Sequence, residues 1–172
     1  VLIDFGNYYF DLGNYDNALL LFWEARDVRA KLVGIKDSDY AAVLNNIANC
    51  YTLKGDYDKA GPVYKEVKEI WEIKSGKNSA EYVILLGNLA GFYYFIGQYN
   101  EAEQLFKEAK SIGEIYLDKT GSDYAYSLIG LALIYQNKGQ YNEAEQLYLA
   151  AKDIFVISYI NCESLYFYVL NN

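Results

Sequence analysis

The chain has no histidine and no methionine, one proline (Pro62) and two cysteines (Cys50 and Cys162) in 172 residues. Without histidine, a Ser–His or Cys–His nucleophile cannot be assembled within the chain. A zinc site needs clustered Cys or His ligands, and the two cysteines stand 112 positions apart. Cys50 falls inside a helical pattern, where a small buried thiol is the simplest reading. Cys162 falls where a loop between repeats is expected. Excess basic charge is also missing: 15 Lys and Arg against 23 Asp and Glu give a net charge of −8, which disfavours a nucleic-acid phosphate backbone as partner. No Gly-rich phosphate loop occurs, and no pair of carboxylates is evidently poised over a pocket. These absences argue against an enzyme and leave no cofactor or metal to expect.

The longest stretch without charge, Tyr82 to Asn100, spans nineteen residues, close to the length that crosses a bilayer. Asn88 and Gln98 interrupt it, and Gly97 falls at a turn, so no membrane span is expected. The lack of Met and the opening at Val1 in mid-pattern suggest a piece of a longer chain with flanking domains. A cytoplasmic location is expected, any targeting signal lying outside these residues.

What is abundant is tyrosine, with 20 residues, and apolar side chains, at 53%. Most tyrosines recur at fixed phases of a repeat, so they are packing residues first, with a hydroxyl that can reach water at a rim. The repeat is marked by Gly13-Asn14-Tyr15-Asp16-Asn17-Ala18, Gly55-Asp56-Tyr57-Asp58-Lys59-Ala60, Gly97-Gln98-Tyr99-Asn100-Glu101-Ala102 and Gly139-Gln140-Tyr141-Asn142-Glu143-Ala144, each 42 residues from the last. A fixed period in this range marks stacked supersecondary units. The units run over 1–39, 40–81, 82–123 and 124–165, with 166–172 as the start of a fifth.

Each unit reads as two amphipathic helices, A then B, around a tight turn. In unit two, Val43, Leu44, Ile47, Ala48 and Tyr51 form one buried face of helix A. Gly55 ends that helix in a left-handed conformation, and Asp56 or Asp58 is expected to cap helix B. Ala60, Val63, Tyr64, Val67, Ile70 and Trp71 form the apolar face of B. Phe5, Ile47, Leu89 and Leu131 share one core phase. Gly6, Ala48, Ala90 and Ala132 share another, as do Ala18, Ala60, Ala102 and Ala144, which lets the two backbones approach closely. Pro62 sits early in the second helix B and predicts a kink or a late start there.

The pattern Ala-x-x-x-x-x-Leu/Ile-Ala-x-x-Tyr-x-x-x-Gly-x-Tyr-x-x-Ala-x-x-x-Tyr/Phe resembles the tetratricopeptide repeat. Ala41, Ile47, Ala48, Tyr51, Gly55, Tyr57, Ala60 and Tyr64 carry the resemblance. The 42-residue period exceeds the family's usual 34 by about two helical turns, and this long form is similar to kinesin-light-chain repeats and to bacterial arrays joined to caspase-like CHAT proteases. Those relatives often place Gly-x-x-His-Pro-Asp before helix A; Gly34-Ile35-Lys36-Asp37-Ser38-Asp39 keeps the Gly and Asp without His-Pro. The resemblance implies an all-α, right-handed α-solenoid of antiparallel helix hairpins, a single array over 1–172. It also implies that the A helices line a concave groove that binds an extended peptide or partner segment. A regulatory arm of a larger enzyme, such as a CHAT protease, is the alternative function.

The A helices, expected over 40–54, 82–96 and 124–138, carry only Lys54 and Lys138 as charges, both at their ends. Their non-core positions are polar and nearly neutral: Asn45, Asn46, Asn49 and Thr52 in unit two, Gly87, Asn88, Gly91, Tyr94 and Phe95 in unit three, and Tyr126, Gly130 and Gln136 in unit four. Asn7 stands on the first helix. Asn46, Asn88 and Asn172 share one phase and look like the asparagine ladder of tetratricopeptide grooves. Asn is a poor mid-helix residue, so its recurrence needs a cause. Its amide matches the N–H and C=O of an extended peptide, or else it bonds neighbouring helices within the array. Asn7, Asn45, Asn46, Asn49, Asn88, Tyr94, Phe95, Tyr126 and Gln136 are therefore the candidate binding residues. With no Lys or Arg among the inner positions, neither a carboxylate clamp nor an acidic peptide is expected; the partner is a protein or peptide of other character.

Overall fold

The computed structural model describes the backbone of residues 1–116 and 121–170, with side chains described as far as residue 157. Among the described residues eight helices follow one another: α1 (Leu2–Asp11), α2 (Tyr15–Leu32), α3 (Ser38–Lys54), α4 (Tyr57–Lys74), α5 (Ala80–Phe95), α6 (Tyr99–Tyr116), α7 (Ser122–Asn137) and α8 (Tyr141–Leu170). Odd-numbered helices are the expected A helices and even-numbered ones the B helices. Each A packs on its own B, and each B packs on the A that follows. This is an all-α repeat solenoid.

The turn glycine behaves as its position demands. Gly55 lies at φ +82°, and its N–H and that of Asp56 close the end of α3 on the Thr52 and Tyr51 carbonyls at 3.1 and 2.9 Å. A side chain at that φ would be strained. The small-residue columns are buried as expected: Ala48, Ala90 and Ala132 on the A helices, and Ala18, Ala60, Ala102 and Ala144 on the B helices. Tyrosines seal the next interface. Tyr82 donates its hydroxyl to Glu72 and Tyr124 to Glu114, each at 3.1 Å, tying the end of one B helix to the start of the next A. Cys50 is fully buried, and burial pushes its thiol pKa up to about 12, so it is an inert packing residue.

Several expectations are corrected. The A helices begin earlier than expected, at Ser38, Ala80 and Ser122, because Asp37, Ser79 and Gly121 occupy the N-cap positions. α4 runs unbroken through Pro62, so there is no late start. Gly61 precedes the proline and has no Cβ to clash with its ring, which relieves one of the proline's clashes; the missing N–H and the crowding of the Asp58 carbonyl remain within the helix. Asp56 makes no cap bond and instead pairs with Lys59 at 3.2 Å. Phe5 is 57% exposed, although its counterpart Ile47 is buried; among the described residues α3 packs on B helices at both sides whereas α1 packs on one B helix, α2. The loop expected around Cys162 is helix, since α8 continues to Leu170. Gly34 and Gly76, at φ +92° and +78°, end the corresponding helices, and Ile160 stands at that repeat position. The Cys162 side chain and Asn172 lie outside the described residues.

Three mid-helix glycines answer to packing. A Cβ on Gly130 would lie 2.2 Å from the Phe106 ring, one on Gly6 2.5 Å from Phe22, and one on Gly113 2.6 Å from Tyr124. A Cβ on Gly91 would meet nothing within 4 Å. Urea denaturation of two substitutions checks this contrast. Gly130→Ala should destabilise by about 1–3 kcal/mol through overpacking, whereas Gly91→Ala should stabilise by about 0.5–1 kcal/mol through helix propensity.

One acid-sensitive tie can be dated by pH. Glu103 bonds Lys107 at 2.6 Å and also Lys138, and these hydrogen bonds hold its carboxyl below the usual glutamate range. A depressed folded pKa stabilises above the unfolded value of about 4.3, and that contribution disappears as pH falls through the folded value. The lysines are partly exposed, so the effect is about 0.5–1 kcal/mol. Glu103→Gln should lower stability at pH 7 and leave it unchanged near pH 2, measured by urea melts at both pH values.

Candidate functional site

α5 packs on both α3 and α7, while among the described residues no two B helices form an extensive contact. Hairpins that touch along their A edges and part along their B edges bend toward the A side. The A helices therefore share a continuous inner face, centred on α5.

Two adjoining hollows open on that face. One, of about 320 Å³, lies between α3 and α5 and is lined by Asn49, Leu53, Gly91, Phe95 and Tyr126 among others. The other, of about 290 Å³, lies between α5 and α7 and is lined by Ile84, Asp123, Ile129 and Leu133, with Phe106 and Gly130 also contributing. Gly87, Asn88 and Tyr126 line both. The Gly87 position is nearly as open as Gly91, its nearest neighbour being Ser127 Oγ at 4.0 Å from a built Cβ. The aromatic rims are exposed, Tyr126 by 63% and Phe95 by 51%. The Tyr126 ring leans edge-on against Phe155 at 5.7 Å.

The asparagines form a relay across the A helices. Asn46 Nδ2 donates to Asn7 Oδ1 at 3.4 Å, and Asn88 Nδ2 donates to Asn45 Oδ1 at 3.2 Å. Asn45 is only 4% exposed, which corrects its assignment to the open face: it lies beneath Asn88 as that residue's acceptor. Asn49 Oδ1 accepts from the Tyr64 hydroxyl at 2.6 Å. Tyr64 is fully buried, and burial raises its hydroxyl pKa. Thr52 is buried too, donating to the Ala48 carbonyl at 2.9 Å. Tyr94 accepts from Asn137 Nδ2 at 3.0 Å, and Gln136 accepts from the Tyr148 hydroxyl at 3.1 Å.

Of the candidate residues, the structure gathers Asn49, Asn88, Phe95 and Tyr126 around the two hollows. Asn7 and Asn46 stand beside them on α1 and α3, and Tyr94 and Gln136 lie outside the hollow walls. Neither lysine of the A helices lines a hollow: Lys54 pairs with Asp16, and Lys138 with Glu103. Asp123 is the residue that sequence reasoning missed. With α7 read as starting at Tyr124, it fell into the preceding loop. The signal was the recurring acidic residue at Asp39, Glu81 and Asp123, one before each conserved-phase tyrosine Tyr40, Tyr82 and Tyr124. Desolvation raises the Asp123 carboxyl pKa. Among the described residues no group that could bind a metal is found, and no helix is long and apolar enough to cross a membrane.

The model of the tetratricopeptide repeat family matches residues 1–73, 39–115 and 81–156. Among solved structures the chain is similar to BtubC (BKLC) from P. vanneervenii, with 22% identity and a TM-score of 0.73 over 91% of this chain and 63% of that one. It is also similar to a Podosopora anserina protein described as a kinesin light chain with nearly identical TPR-like repeats. There the identity is 17% and the TM-score 0.62, over 91% of this chain and 94% of that one. Aspartyl phosphate phosphatase F from Bacillus subtilis matches with 21% identity and a TM-score of 0.70 over 92% of this chain and 40% of that one. Identities this low speak to fold alone. No protein of curated function matches. The family match runs from residue 1 to residue 156, and the chain belongs to the tetratricopeptide repeat family.

Proposed function

We propose that the inner face of α3, α5 and α7 binds an extended segment of a partner protein. Tetratricopeptide arrays bind protein partners, and membership makes the chain a protein–protein interaction scaffold. The finer reading rests on one observation: Gly87 and Gly91 sit in the middle of a helix, where glycine weakens it, and no neighbouring atom requires their smallness. Their use is room above the helix. A backbone laid across α5 could approach these glycines closely, with Phe95 and Tyr126 taking apolar side chains on either side.

The asparagines serve this groove in two ways. Each relay bond occupies one donor and one acceptor, and an amide carries two of each, so Asn88 keeps capacity at the groove, and Asn46 beside it, while both are fixed by their neighbours. The same groove would serve if the array is the regulatory arm of a larger enzyme such as a CHAT protease, the segment then coming from the same chain. An acidic segment is disfavoured, because among the described residues no cation lines either hollow.

Selection of random linear peptides displayed against the protein tests the reading. Selected sequences should bind the native protein and lose binding to Gly87→Leu, which melts no lower than the native form. Equal binding to both forms would remove the groove from the function. The relay makes its own prediction, read by urea melts. Asn88→Ala strips the buried Asn45 carbonyl of its donor and should cost about 1–3 kcal/mol. Asn46→Ala deprives only the exposed Asn7 and should cost less than about 0.5 kcal/mol.

A further inference from the structure

The acidic residue in the first turn of each A helix has a clear local role: negative charge beside a helix N-terminus is favourable. That role is common to Asp39, Glu81 and Asp123, yet their surroundings differ. Asp39 is paired with Arg29 at 2.7 Å. Two repeats further on, the residue that corresponds to Arg29 is Gly113, whose smallness the Tyr124 ring requires. Asp123 has no cationic partner among the described residues, and it lines the hollow between α5 and α7.

The rest of that hollow is apolar or aromatic apart from Asn88: Val83, Ile84, Ile129 and Leu133, with Tyr126 at the rim. A half-buried carboxylate in such surroundings is partly stripped of water, and this desolvation raises its pKa; no described cation offsets it. The chain elsewhere sets cations over its aromatic rings, with Arg26 over Trp23 at 4.4 Å and Lys107 over Tyr135 at 5.7 Å. Tyr126 has an exposed ring and no such cation among the described residues.

We propose that the hollow between α5 and α7 receives an arginine side chain of the partner segment, its guanidinium paired with the Asp123 carboxylate and stacked on Tyr126, its stem lying along Ile84 and Leu133. Arginine fits better than lysine because its planar fork matches a carboxylate, its face stacks on an aromatic ring, and it is more weakly hydrated. The occupant is thus a protein segment with an arginine flanked by apolar residues. This deepens the groove reading above and rests on it.

Three blocked peptides that differ at one central residue, Arg, Gln or Glu, each flanked by leucines, provide the probe. Titration into the isotope-labelled protein is followed at the amides of residues 84–91 and 123–130. The Arg peptide should bind about fivefold more tightly than the Gln peptide, the scale of one partly exposed ion pair, and the Glu peptide should bind weakest. The preference should shrink with added salt. Asp123→Asn should bind the Arg and Gln peptides alike, while Asp123→Glu should keep the preference. Lys119→Gln removes the lysine four residues before Asp123 in the sequence: an unchanged Arg preference supports a partner-supplied cation, and a changed one overturns it. Equal binding of Arg and Gln peptides to the native protein overturns the arginine pocket and leaves the groove standing. A preference that survives Asp123→Asn also overturns it. If no peptide moves these amides, the pocket and the groove reading fall together.

Discussion

The structure depends on how closely the two helices of each hairpin can approach. Ala48 with Ala60, Ala90 with Ala102, and Ala132 with Ala144 are all buried, and they recur because every hairpin faces the same steric problem. Once the backbones are close, the larger side chains at Leu44, Leu86 and Leu128 fill the space around them at crystal-like density. Where an alanine would still be too large, glycine appears: Gly130 yields to Phe106 and Gly113 to Tyr124. The Gly-x-Tyr-x-x-Ala element is the visible trace of this constraint. Its glycine turns the chain, and its alanine sets the separation that all other contacts inherit.

Stacking the hairpins is a second task, carried by polar groups as well as apolar ones. Tyr82 with Glu72 and Tyr124 with Glu114 repeat one bond at successive interfaces. On the opposite edge the asparagine relay links α1 to α3 and α3 to α5. A solenoid lacks contacts between distant parts, so its stability is a sum of such neighbour terms. That explains why amides with poor helix propensity persist in the middle of α3 and α5. They are costly within their own helices and repaid between them.

The repeat, the helix pairing, the turn glycines and the alanine columns were legible in the sequence because each is local and recurs in phase. What escaped was set by depth. Asn45 and Asn46 are adjacent and chemically identical, yet one is buried beneath Asn88 and the other faces outward; only the position of the neighbouring helix separates them. The helix runs on through Pro62, with the clash at the preceding residue relieved by the absent Cβ of Gly61, a detail easily outweighed by the rule against proline. Asp123 escaped because the helix start was placed two residues late, at the least certain kind of boundary. α8 continues past Cys162 with Ile160 standing where Gly34 and Gly76 end earlier helices, and periodicity alone does not register a missing stop.

Repetition also supplies an internal standard for separating structural residues from functional ones. Each position of the repeat is a problem solved several times by the same fold. Positions filled alike, such as the alanine columns, answer to packing. Positions filled differently without a packing cause are free to serve something else. At the phase of Gly87 the neighbouring units carry Asn45 and Ile129, and at that of Gly91 they carry Asn49 and Leu133. The glycines of α5 are thus not demanded by the fold, and they lie where both hollows meet. Asp123 departs in the opposite sense: the residue type is kept, and the cation that Asp39 has in Arg29 is gone. Lost bulk in α5 and the missing counterpart of Arg29 fall on the same hollow, which is where the proposed segment and its cation are placed.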